Sequence, residues 1–188
     1  MSLTKSLQQQ LLHVAKDSIA YGLQRGHALA INSEDYAPDI QAQRASFVTL
    51  EINQQLRGCI GMLEAMRPLV VDIAENAFAA AFKDPRFAPL TASEYPRLDI
   101  HISILSPAEA ISFYSEEDLI RQLRPGTDGL IMQEGNKRGT FLPSVWASLT
   151  QPEEFLSELK LKSGLTSDYW SDTLKVLRYE CEYISEAR

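Results

Sequence analysis

The chain has 188 residues, 45% of them hydrophobic and 23% charged, which is ordinary globular usage and excludes general disorder and collagen-like or linker-like chains. A formal net charge of −7 argues against a broad nucleic-acid surface, while leaving room for a local basic patch. At this length a single domain over residues 1–188 is expected, whole or in two sub-lobes, with a core that needs neither disulfides nor a structural metal.

Met1 to Lys5 run into Gln8, Gln9 and Gln10 without an apolar stretch, so no secretory signal is expected. No apolar run approaches the roughly 20 residues of a membrane helix. Two cysteines, Cys59 and Cys181, are too few for a disulfide framework, and a reduced, cytoplasmic protein is the expectation. Leu7, Leu11, Val14, Ala15 and Ile19 predict a first helix over 4–23, with Gly22 and Gly26 near its end. Residues 32–44, with Pro38 and no clear period, read as a loop. A strand over 47–52 places Val48, Leu50 and Ile52 on one face and Phe47, Thr49 and Glu51 on the other. The turn Asn53-Gln54-Gln55 leads into Leu56-Arg57-Gly58-Cys59-Ile60-Gly61.

Pro68 suits a first helical position, and residues 69–82 predict an alanine-rich helix that packs closely on a sheet. The cleanest strand is 98–105, where Leu98, Ile100, Ile102 and Ile104 alternate with Asp99, His101 and Ser103. A short helix opens at Ser115 with Glu116, Glu117 and Asp118 in its first turn. A hairpin follows, 129–133 against 139–142, then a helical turn from Pro143 and a helix from Pro152 to a stop at Gly164. Residues 174–184 read as one long last strand. The order lacks regular strand–helix alternation, which predicts an α+β fold with a largely antiparallel sheet.

The segment 56–61 is the densest chemical signal. Gly58 and Gly61 bracket Cys59, and glycines admit close approach of a backbone or a ligand. Such glycines can floor a shallow pocket, and Arg57 or Arg67, if either reaches the thiol, would favour thiolate. The plainer alternative is a small buried cysteine beside a β-bulge. His101, opposite the isoleucines of its strand, could act as a general base or be a half-exposed strand histidine. In Asp84-Pro85-Arg86-Phe87, Asp84 and Arg86 could pair to lock a turn while Phe87 plugs the core, or Arg86 could contact an anion. Trp146, Tyr169 and Trp170 read as core aromatics, and Glu64 and Asn76 as polar groups that orient the cysteine segment or lie on the surface. No metal site or cofactor is expected: the chain has no CxxC, HExxH, EF-hand or phosphate-loop pattern.

Leu56-Arg57-Gly58-Cys59-Ile60-Gly61 resembles the signature hexapeptide of the AMMECR domain family. Further motifs follow in the family's order: Phe47-Val48-Thr49-Leu50, Asp84-Pro85-Arg86-Phe87, Pro125-Gly126 with Gly129-Leu130, Phe141-Leu142-Pro143 with Val145-Trp146, and Lys162-Ser163-Gly164-Leu165 before Tyr169-Trp170. The resemblance implies two unequal α/β lobes with a cleft between them. The ending Phe141-Leu142-Pro143-Ser144-Val145-Trp146 is similar to the bacterial branch, the AmmeMemoRadiSam system protein A type. That similarity implies a Memo-like protein and a radical S-adenosylmethionine protein as partners. It implies no reaction. Two readings follow. One is a partner- or ligand-binding component using Arg57, Gly58, Gly61 and Arg86, with a small anionic ligand as one candidate. The other is a small enzyme with Cys59 as nucleophile or group carrier and His101 managing protons.

Overall fold

A computed structural model describes residues 2–186 and divides the chain into two compact units. The first takes the chain up to Leu105 and resumes at Glu182; the second runs from Ser106 to Cys181.

In the first unit, helix α1 (Lys5–Arg25) starts where the Thr4 side chain accepts from the Leu7 N–H and ends at Gly26, which has a φ of 75°. Leu11, Ala15 and Ile19 of its apolar stripe are fully buried, while Leu7 is half-buried. The stretch read as a loop contains a 3-10 turn (Ser33–Asp35) and a single helical turn, α2 (Pro38–Gln41). One turn is too short to show a period, and Ile40 is its buried residue.

Strands β1 (Ser46–Ile52) and β2 (Gln55–Gly61) form an antiparallel hairpin. Asn53 and Gln54 turn the chain with φ of 53° and 63°. Positive φ at both turn residues is the tight-hairpin geometry, but Asn-Gln lacks the Asn-Gly signature that announces it in a sequence. Helix α3 (Leu69–Phe82) matches the predicted span, although Pro68 stands just outside it, extended, with a ψ of 139°. Strand β3 (Asp99–Leu105) pairs antiparallel with β1. With β8 (Cys181–Ser185) the sheet order is β2-β1-β3-β8. Val48, Leu50, Ile100, Ile102 and Ile104 form the inner face and share one core with Leu11, Ile19, Leu69, Ile73 and Ala77. Each such Val, Leu or Ile side chain contributes about 1.5–3 kcal/mol by leaving water.

The second unit comprises β4 (Glu109–Ala110), α4 (Glu116–Gln122), β5 (Gly129–Glu134), β6 (Lys137–Phe141), α5 (Pro152–Lys162) and β7 (Lys175–Tyr179). Its sheet is antiparallel, in the order β4-β7-β5-β6. Trp146 stacks on Phe155 at 3.8 Å in the core and donates its indole N–H to the Asp128 carbonyl at 2.7 Å. The α+β expectation stands, but with two sheets in place of one. The predicted last strand is correspondingly two strands, each belonging to a different sheet. They break at Glu180, whose N–H donates to Ser106 Oγ (2.9 Å) and whose carbonyl accepts from the Ser106 N–H (2.8 Å). Alternation of side chains carries no mark of a change of sheet. No helix among the described residues is long and apolar enough to cross a membrane.

Candidate functional site

The cysteine segment is edge strand β2, and a one-residue bulge sets its facing. Ile52 pairs with Gln55 and Glu51 with Leu56, but Leu50 then pairs with Gly58 and Thr49 with Cys59. Arg57 is the extra residue. Side chains alternate along a strand, so the inserted residue turns Gly58 toward the core and Cys59 away from it. Thr49 also pairs with His101 across β1 and β3. Cys59, Thr49 and His101 therefore form a row on the sheet face opposite α1 and α3, flanked on β1 by Phe47 and Glu51.

Cys59 is a half-buried free thiol. The Thr49 hydroxyl donates to its sulfur at 3.2 Å. Its N–H donates to Asp84 Oδ2 at 2.9 Å, and its carbonyl accepts from Arg86 Nη2 at 3.3 Å. Asp84 and Arg86 thus occupy, at the sheet edge, the positions a further strand would take. The two are themselves paired at 2.7 and 3.0 Å, with the Asp84 side chain 2% and the Arg86 side chain 54% exposed. Chiefly through this pairing, Arg86 holds the Asp84 carboxyl far below the usual carboxylate range; the N–H groups of Cys59 and Arg86 add to the effect.

Arg57 is held in a similar way. Its Nε and Nη2 donate to the two Glu94 oxygens at 2.8 and 3.2 Å, and Nη2 also donates to the Ala88 carbonyl at 2.9 Å. The Arg57 and Arg86 guanidiniums lie 5.8 and 5.6 Å from the Phe87 ring centroid. Phe87 is half-buried and does not plug the core; Leu90 is the buried apolar residue that follows this turn. The Arg57 guanidinium first, then the N–H and hydroxyl of Thr91, bring Glu94 from 4.5 down to about 2. A carboxyl lowered on folding contributes stability above its unfolded pKa and loses it as the pH falls through the folded value. Glu94→Gln is accordingly expected to flatten the fall in melting temperature of the intact chain between pH 4.5 and about 2. An unchanged acid slope in that variant would contradict the pairing.

The imidazole of His101 does not touch the thiol. Two strand spacings of about 4.8 Å separate the residues, with Thr49 between them. Nε2 of His101 lies 3.5 Å from Glu51 Oε2. Arg67 is likewise committed elsewhere: it donates to Asp72 at 2.8 Å, in a network with Ser46 and Asn76. Asn76 is thus a buried tie between α3 and the start of β1, whereas Glu64 is exposed. Beside the Gly58 Cα the space is filled by the Ala80 carbonyl, and beside Gly61 by the Phe47 ring and the Ser46 carbonyl. Among the described residues, no group of three or more His, Cys, Asp or Glu side chains is placed to hold a metal. Sequence reasoning missed Thr49, Glu51 and Glu94 as members of the site. Thr49 was legible only through the bulged register, and Glu94 only through the fold of the 84–94 segment.

These features define an α+β protein that presents a thiol row and two carboxylate-locked arginines on one sheet and its flanking turn. The AMMECR1 family model matches residues 12–184. A protein of Methanocaldococcus jannaschii is 37% identical over 157 residues, covering 81% of this chain and 78% of its own length. One of Methanothermobacter thermautotrophicus is 38% identical, covering 81% of each. The crystal structure of an uncharacterized protein from Pyrococcus horikoshii superimposes with a TM-score of 0.87 at 32% identity, covering 96% of this chain and 92% of that one. The chain belongs to the AMMECR1 family.

Proposed function

We propose that the chain is a binding component that presents strand β2 and the 84–87 turn to a partner protein or a small anionic ligand. The carrying observation is Phe87 held beside two guanidiniums, each fixed by its own carboxylate. Groups locked before binding lose little side-chain entropy on binding. A guanidinium carries five N–H donors, and Arg86, half-exposed, retains donors beyond those given to Asp84 and Cys59. The partners we assign are a Memo-like protein and a radical S-adenosylmethionine protein in the cytoplasm. Their support is the likeness of 141–146 to the bacterial branch, although the relatives named above are archaeal. In binding assays with each purified companion, Arg86→Ala is expected to weaken affinity about tenfold, while Cys59→Ser stays within about twofold. Wild-type affinity in Arg86→Ala and Arg57→Ala alike would remove this surface from the interaction.

A second reading, a thiol-dependent enzyme, is favoured by the Thr49 hydroxyl on the Cys59 sulfur. It expects Cys59 to alkylate faster than Cys181 in the folded protein.

A further inference from the structure

Asp84 and Arg86 close the edge of β2 at Cys59, and the closure stops there. The Met62 N–H donates to the Ser46 carbonyl at 3.1 Å, so these two residues face each other as a hydrogen-bonded pair. Such pairs alternate with pairs whose backbone groups point away from the partner strand. Cys59, opposite Thr49, and Gly61, opposite Phe47, are of the second kind. The outward N–H and carbonyl of Cys59 are taken by Asp84 and Arg86. Arg86 takes the carbonyl, the group nearer Gly61 along the chain. The outward N–H and carbonyl of Gly61 have no partner among the described residues. Exposed apolar side chains flank the strand, Leu56 near its start and Met62 and Met66 beyond its end.

The charges beside this edge are compensated. Arg86 gives Nε and Nη2 to the two Asp84 oxygens, and Nη2 also to the Cys59 carbonyl. The two-pronged edge with which a guanidinium grips a carboxylate or phosphate is therefore filled from within. Nη1, with two N–H groups, is the nitrogen that these bonds leave unused, on a side chain 54% exposed. Arg57 gives Nε and Nη2 to Glu94, and its Nη1 is enclosed. Asp84 and Glu94 are both held well below the ordinary carboxylate range, so each arginine faces a full negative charge at neutral pH. Lys83, one residue before Asp84, sets its ammonium 5.1 Å from the Phe78 ring centroid, and Glu51 adds a carboxylate on the face that carries Cys59. A free anion finds neither an uncompensated guanidinium nor an open fork here.

We infer that the open end of β2 takes an uncharged, extended segment of a partner protein, pairing backbone to backbone at Gly61 while Arg86 Nη1 donates to a peptide carbonyl. This rests on the reading of the chain as a binding component, and it selects the partner protein over the anionic ligand. A peptide carbonyl is a neutral acceptor that a single nitrogen can serve, and backbone pairing on a sheet edge needs no charge. Met62 and Met66 offer the segment's side chains an apolar, adaptable surface.

The test uses the full chain with each purified companion, the Memo-like protein and the radical S-adenosylmethionine protein, and separately with inorganic phosphate. Companion affinity is expected to change less than about threefold as salt rises from about 0.05 to 0.5 M. The Gly61 amide should exchange about tenfold more slowly in the complex, while the Cys59 amide, already bonded, changes little. Phosphate at about 10 mM should leave the Arg86 Nε–H resonance of the free chain unmoved. Saturable phosphate binding that Arg86→Ala abolishes would overturn the inference and leave a binding component with an anion as its ligand. Companion binding that weakens about tenfold or more over the salt range would overturn it too. So would Gly61 exchange unchanged in a complex that Arg86→Ala still weakens. If neither companion nor phosphate binds, or if Arg86→Ala and Arg57→Ala both bind like the wild type, the reading falls and the inference with it.

Discussion

Adding one methyl group at Gly58 is expected to destabilise the first unit by about 3 kcal/mol or more. A Cβ there would lie 2.1 Å from the Ala80 carbonyl oxygen and 3.0 Å from its carbon. Both atoms are backbone of α3, so no side chain can swing aside. Relief requires the helix to lift from the sheet, opening the contact that buries Leu69, Ile73 and Ala77 against β1. The alanine stripe of α3 and Gly58 are thus two halves of one close approach between helix and strand. At Gly61 the contacts are of mixed kind: the Phe47 ring at 2.3 Å could rotate, while the Ser46 carbonyl at 2.4 Å could not. Urea unfolding of Gly58→Ala measures the effect. A midpoint equivalent to less than about 0.5 kcal/mol of loss would mean that β2 and α3 are not so close.

Asp84→Ala is expected to cost about 3 kcal/mol, toward the lower end for breaking a buried ion pair because the Arg86 half remains in partial contact with water. The substitution removes the acceptor of the Cys59 N–H and releases the arginine that donates to the Cys59 carbonyl. Both backbone groups of the cysteine then face an open sheet edge. Asp84→Asn keeps an acceptor but loses the charge, and should cost about half as much. In a double-mutant cycle with Arg86→Ala, the doubly substituted chain should be more stable than the sum of the single losses predicts, by roughly 1–3 kcal/mol. Simple additivity would show that the pair does not act as a unit. The same substitution bears on the site. An edge freed at Cys59 should fray, and amide exchange at Cys59 and Ile60 should quicken more than at Val48 in the neighbouring strand.

Much of the helical structure was open to inspection in the sequence. The alanine-rich run after Pro68 carries no breaker until Asp84-Pro85, and the alternating isoleucines of β3 admit one inward face. Ser115 and its acidic successors mark the start of α4 by ordinary capping chemistry. The hairpin read as 129–133 against 139–142 is present, with a tighter turn than that reading gave it: Glu134 already pairs with Lys137, so only Gly135 and Asn136 lie between the strands. Hidden from view were elements that depend on partners far along the chain. The two-residue β4 exists because β7 pairs with it, and Glu180 ends β7 through Ser106, 74 residues earlier in the chain. Arg57 and Arg86 were visible as charges, but the carboxylates that hold them were not all visible. Asp84 is two residues from Arg86, whereas Glu94 is 37 residues from Arg57.

Residue identity by itself determined that this chain carries an arginine, a thiol and two glycines within six positions, and that the flanking segments are helix and strand. What the tertiary structure decided is which way the thiol looks. The turn pairs Ile52 with Gln55, and continued without interruption that register would set Cys59 opposite Val48, whose side chain enters the core. The single bulged residue, Arg57, shifts the pairing to Thr49. Because side chains alternate with a period of two, one extra residue reverses every facing beyond it. The bulge lies where Gly58 must meet the Ala80 carbonyl while Glu94 and Ala88 hold the Arg57 side chain. Those contacts come from α3 and the 84–94 segment, so local sequence could not show them.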